Sequence, residues 1–89
     1  MRIISQSGRL DIPYEVAVVY VEYESIIAKV GDERYAMGNY STEEKAVKSM
    51  EMLREKYLLY KSATNEKSFY EFFDNPKVFQ FPQDDEIEV

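Results

Sequence analysis

Cysteine and histidine are both missing from this chain of 89 residues. Without cysteine there are no disulfides, no thiolate metal sites and no thiol nucleophile. A cysteine-free chain fits a reducing cytosol. Without histidine the commonest general base and the commonest transition-metal ligand are gone, and no Ser-His-Asp triad can be built. Glycine is scarce as well. Gly8, Gly31 and Gly38 lie far apart, so no Gly-rich phosphate cradle exists. Long apolar runs are also lacking: the longest, Val16 to Val21, is far too short to span a bilayer. Arg2 is followed by only two apolar residues before Ser5-Gln6, which gives no secretion signal. These features point to a cytoplasmic protein with no membrane association.

What remains is one domain's worth of chain with a formal charge of −6. The charge is uneven. Asp84, Asp85, Glu86 and Glu88 crowd residues 84–89. Removing those four from the 17 acidic residues leaves 13 against 11 basic, a charge of −2. The expected organisation is therefore a single domain over 1–83 and an acidic, solvated tail over 84–89. Neither part has the clustered Lys and Arg of a phosphate-binding surface, so direct nucleic-acid binding is not expected.

Residues 2–5 read as a short strand, Ser7-Gly8 as a turn and Arg9 to Ile12 as the return strand. Pro13 cannot donate to a ladder, so it closes that strand or lies at an edge. Val16 to Tyr23 alternates with apolar residues on both faces, and predicts a central strand covered on both sides. Ser25 to Val30, Gly31-Asp32 and Glu33 to Gly38 form a hairpin with a glycine-first turn. That register opposes Val30 to Glu33, Ala28 to Tyr35, Lys29 to Arg34 and Ile26 to Met37. Ile26, Ala28, Val30, Tyr35 and Met37 then share one buried face.

Ser41 followed by Glu44 has the spacing of a capping box, which predicts a helix from Thr42 to about Lys61. Glu43 and Glu44 suit the positive end of its dipole. Ala46, Met50, Leu53, Tyr57 and Tyr60 form its buried stripe. Met52, Leu58 and Leu59 fall off the stripe and imply a second contact. All five phenylalanines lie between residues 69 and 81. Phe69, Phe72 and Phe73 have helical spacing before Asp74-Asn75-Pro76 stops the turn, and Val78 to Phe81 reads as a last strand ended by Pro82. The expected fold is α+β: an antiparallel sheet of five or six strands, one main helix across one face, and a C-terminal strand returning to that sheet.

Chemistry is harder to find than architecture. The 17 carboxylates are scattered and read as solvated surface charge rather than an acid–base pair. A Ser–Lys dyad has no local signature. Asp84-Asp85-Glu86 lacks EF-hand spacing and offers a weak ion site at most. Tyr20, Tyr23, Tyr35 and Tyr40 could stack on bases as RNA-binding sheets do, but Glu22 and Glu24 stand where basic residues belong. Packing is the better account of those rings. No catalytic residue, cofactor or metal ligand emerges. The candidate site is an apolar patch of Leu58, Leu59, Phe69, Phe72 and Phe73, facing a protein partner or a second copy in a homodimer. In the competing account the same rings close the core of a monomer.

Three stretches carry a resemblance. They are Met1 to Gln6 with Asp11-Ile12-Pro13-Tyr14, Tyr40 to Ala46 with Met50-Glu51-Met52-Leu53, and Phe79-Gln80-Phe81-Pro82 with the acidic end. Together they resemble small uncharacterised proteins of phages, prophages and mobile elements of Gram-positive bacteria. The resemblance implies a cytoplasmic α+β protein and transfers no catalytic residue. The function expected is a non-enzymatic one exercised through protein contacts. The alternative is an acidic protein that mimics nucleic acid and occupies a host factor's binding surface.

Overall fold

The structure is a computed structural model that describes residues 1–63 and 77–89. Its elements are β1 (Arg2–Ile4), β2 (Asp11–Pro13), a single 3-10 turn (Tyr14–Val16), β3 (Val18–Glu22), β4 (Ser25–Val30), β5 (Glu33–Asn39), α1 (Glu43–Ala63), β6 (Val78–Gln80) and a second 3-10 turn (Asp84–Glu86). The α+β class and the long helix agree with the sequence pattern.

The strands do not form one antiparallel sheet. They form two three-stranded sheets, ordered β2-β1-β6 and β3-β4-β5. In the first, β1 pairs antiparallel with β2 and parallel with β6. The C-terminal strand therefore joins the sheet begun by β1, not the long hairpin. Alternation gives strand identity but carries no information on distant neighbours, which is why the pattern could not assign this pairing. Ile12, Ile3 and Phe79 stand side by side across β2, β1 and β6, and all three are buried. Pro13 closes β2 at an edge, where its missing N–H breaks no ladder.

In the second sheet the predicted hairpin register holds from Val30↔Glu33 through Ala28↔Tyr35. Gly31 takes a positive φ of 59°, as a glycine-first turn demands. Further on, a bulge between Ile26 and Ile27 moves the pairing to Ile26↔Gly38, so Met37 is not opposite Ile26. The bulge keeps Met37 buried and sets Gly38 beneath the Tyr40 ring. A Cβ on Gly38 would lie 3.2 Å from that ring. Ile26, Ala28 and Met37 join the core, with Val30 and Tyr35 packed against it.

β3 is an edge strand, although its apolar residues suggested a central one. Val19 and Val21 pack on the core, while Val18 on the other face is 64% exposed. The helix covers the inner face of β3 and β4. Its stripe is as expected: Ala46 and Leu53 are fully buried, and Met50, Tyr57 and Tyr60 pack against the core. Both sheets and the helix share one core, which also takes in Phe81 and Ile87.

Candidate interaction surfaces

The helix begins one residue later than the capping-box spacing implies. Thr42 Oγ1 accepts the Lys45 N–H at 3.2 Å, and Ala46 N–H reaches Thr42 O at 3.3 Å. Thr42 is therefore the N-cap. Ser41 makes a distant contact instead, its N–H donating to Asp84 Oδ1 at 2.7 Å. Lys45 Nζ donates to Asp84 O at 2.9 Å and lies 3.4 Å from Asp84 Oδ2. The hydrogen bond from Ser41 N–H, with Lys45 beside it, holds the Asp84 carboxyl below the usual aspartate range.

The acidic segment is thus fastened rather than frayed. Gln83 N–H donates to Glu86 Oε1 at 2.7 Å, capping the short turn, and Ile87 behind it is only 5% exposed. The alternation of acidic residues hid one apolar anchor. Asp84 answers the start of α1, so its charge is spent within the chain. This leaves little free for the cation site that Asp84-Asp85-Glu86 suggested. Among the described residues no group of three or more acidic side chains is placed to hold a metal ion.

Gln6 was not singled out from the sequence, yet it joins three parts of the fold. Its backbone N–H donates to Met37 O at 2.8 Å, and its Oε1 accepts the Asn39 N–H at 2.7 Å. Its Nε2 donates to Pro82 O at 3.0 Å, beside the Tyr40 hydroxyl, which donates to the same oxygen at 2.9 Å. Burial pushes the Tyr40 phenol up. The signal in the sequence was only a run of polar residues between strands, which reads as loop.

Of the candidate patch, the structure places Leu58 and Leu59. They are 67% and 38% exposed on the outer side of α1. Met52 is instead partly buried against the core. Phe69, Phe72 and Phe73 lie outside the described residues. On the same helix Tyr57 turns inward and makes a tilted ring contact with Tyr14 at 4.7 Å between centroids, with Tyr60 at 5.9 Å from Tyr57. Tyr20, Tyr23, Tyr35 and Tyr40 do not assemble a platform for bases. Tyr35 and Tyr40 face the core, Tyr20 lies on the opposite face of the sheet, and Tyr23 sits in a turn.

That opposite face of β3-β4-β5 is the second surface. Val18, Tyr20 and Glu22 of β3 lie beside Lys29, Ile27 and Ser25 of β4. Ala36 and Arg34 of β5 complete the rows. Arg34 reaches over β4, donating from Nε to the Tyr20 hydroxyl at 3.0 Å and from Nη2 to Glu22 Oε2 at 2.9 Å. Ile27 beneath it is 8% exposed, although it lies on the side away from the core. The Arg34 stem and the Tyr20 ring thus shield an apolar row on a face that no element of the described chain covers.

A shallow groove of about 250 Å³ opens elsewhere, between the start of α1 and Glu88-Val89. Glu44, Lys48 and Glu51 line it with Val47, and Lys48 pairs with Glu51 at 3.7 Å. It gathers no set of groups suited to acid–base or nucleophilic chemistry. No helix among the described residues is long and apolar enough to cross a membrane. No protein-family model, curated protein or solved structure matches the chain.

Proposed function

We propose that the chain is a small cytoplasmic binding module of a phage or mobile element, acting through protein contacts and not through catalysis. The resemblance of its opening residues, helix start and Phe79–Pro82 segment supports the origin. The observation that carries the mode of action is the outer side of α1. The helix fills its core stripe with Ala46, Leu53 and the tyrosines, and still turns Leu58 and Leu59 outward. Adjacent leucines gain nothing from solvent, and a partner that covered their exposed parts would recover a share of the about 1.5–3 kcal/mol that full burial of a leucine contributes, the larger share at Leu58.

The acidic-mimic alternative draws on the −6 charge. It is the weaker reading, because several carboxylates, Asp84 of the acidic end among them, are engaged within the chain. Asp84 holds Ser41 and Lys45, Glu22 holds Arg34, Asp11 holds Arg2 and Glu15 holds the Met1 amino group.

Affinity capture from a Gram-positive host lysate, read by mass spectrometry, separates the two. The expected result is a partner that survives high salt with the wild type and is lost with Leu58→Asp. A partner that is released by salt and retained by Leu58→Asp would instead establish the acidic mode.

A further inference from the structure

The geometry points to β3 as a self-pairing edge: we infer that two copies of this chain join through antiparallel β3 strands into one continuous six-stranded sheet. This goes beyond the partner-binding reading and rests on a different surface.

The backbone comes first. Tyr23-Glu24 is a two-residue turn, with Glu22 opposite Ser25. The pair flanking such a turn exchanges both hydrogen bonds, and hydrogen-bonded and non-bonded pairs then alternate. Glu22, Tyr20 and Val18 therefore bond inward to β4. The Gly31-Asp32 turn gives the same phase from the other side, since Val30 and Ala28 bond to β5 and leave Lys29 and Ile27 for β3. Val19 and Val21 must then aim their N–H and C=O groups away from the sheet. Among the described residues β3 has no strand neighbour but β4, and no turn, loop or cap hydrogen bond reaches Val19 or Val21.

The other edges are closed in ways that β3 is not. Gln6 bonds to Met37 and Asn39 along the outer side of β5. β2 ends in Pro13, and β2 and β6 are three residues each. β3 has neither a proline nor a bulge, and its sequence is Val-Val-Tyr-Val-Glu. An apolar edge that the described residues leave open in this way is a template for another strand.

The occupant follows from the side chains. If Val19 of one copy meets Val21 of the other, and the reverse, every outward N–H and C=O of both residues is satisfied. The two-fold axis then passes between the two Tyr20 residues, at a non-bonded position where side chains come closest. On the outer face this builds a central row of Ile27, Tyr20, Tyr20 of the second copy and its Ile27. In the flanking rows Glu22 lies opposite the second copy's Val18, whose neighbour on the far side is Lys29. Lys29 is exposed and makes no ion pair among the described residues. The distance from Lys29 to the second copy's Glu22 is two strand spacings, roughly 10 Å. Arg34 already makes a longer crossing, because it starts level with Val18 and still reaches Glu22. A carboxylate has lone pairs enough for both cations. The strand is thus complementary to itself in backbone, apolar row and charge.

Sedimentation equilibrium over roughly 10–500 µM tests this, a range suited to an interface at the small end of the size scale. The wild type is expected to dimerise. Val18→Glu is expected to raise the dissociation constant at least tenfold. In the monomer the new carboxylate faces Lys29 and is tolerated; in the dimer it faces Glu22 of the second copy. Circular dichroism checks that the fold is kept. Should Val18→Glu not fold, Tyr20→Glu serves instead, since it keeps a partner for Arg34 and sets two carboxylates together at the axis. Amide exchange of the wild type reads the pairing directly: Val19 and Val21 N–H should slow as concentration rises. A monomer throughout the range overturns the inference. So does a dimer that both folded variants leave intact, or one in which Val19 and Val21 exchange as fast as when dilute.

Discussion

Replacing Ile87 with alanine tests the packing of the acidic segment. Ile87 is 5% exposed and lies in the same core as Ile3 and Phe81. The change removes three carbons, each worth about 0.8 kcal/mol in transfer free energy, so the loss is roughly 2.4 kcal/mol before any cavity is counted. The short segment around it can partly collapse into the space, and about 2–3 kcal/mol is expected. A domain of 89 residues has a total stability of about 4–13 kcal/mol. For such a domain each kcal/mol shifts the melting temperature by about 4–8 °C, so a drop of roughly 8–24 °C should appear. Urea titration followed by circular dichroism gives the free energy, and calorimetry gives the temperature. Val89→Ala, at an exposed neighbour, is the control and should be silent. A loss below about 0.5 kcal/mol for Ile87→Ala, in the range of ordinary surface changes, would refute the reasoning and return residues 84–89 to a solvated tail.

Three further outcomes are expected. Thr42→Ala should cost about 1 kcal/mol, and Ser41→Ala, which keeps its backbone N–H on Asp84, less than half of that; equal or reversed losses in thermal melts would place the cap at Ser41. Tyr23 holds a left-handed φ of 56° with its ring 81% exposed. Tyr23→Gly should therefore stabilise by roughly 0.5–1 kcal/mol, the relieved strain less the added unfolded-state entropy, and a lowered urea midpoint would contradict this. Asp84 has a folded pKa below its unfolded value, so its contribution is complete above about pH 3.9 and vanishes as pH falls through the lower folded value. The difference in urea midpoint between wild type and Asp84→Asn should thus close towards pH 2, and a gap unchanged by acid would show that the charge is not involved.

Periodicity revealed the parts of this fold that depend on near neighbours. The stripe on α1, the Val30↔Glu33 hairpin, the Pro13 edge and the Val78 strand are each set by spacing within a few residues. What escaped notice depends on distant partners. Apolar residues on both faces of Val16–Tyr23 looked like double burial, but the described residues leave one face uncovered, and Ile27 is hidden there under Arg34 and Tyr20. Ser41 fits a capping box, yet Asp84, far along the chain, takes its N–H and the cap passes to Thr42. Ile87 stands alone among acidic residues, and a single apolar residue has no period to detect. As for the site, Leu58 and Leu59 stood out because they broke a stripe. The β3 edge did not, since an edge is defined by the absence of a neighbour and no pattern along the strand records it.

The position of β1 between β2 and β6 governs when the protein can fold during synthesis. Gln6 and Pro82, which share a hydrogen bond, are 76 residues apart. At about 5–20 residues per second the ribosome needs roughly 4–15 s to make that span. The β3-β4-β5 hairpins close within microseconds of emerging, because their contacts are local. Ile3 must wait for Phe79, and Tyr40 for Pro82. A nascent chain therefore carries a finished meander beside an unsealed interior for seconds, with β3's bare edge already exposed. A translational pause before residue 77 prolongs that state. On a polysome, neighbouring nascent chains would meet through this edge before either interior has closed.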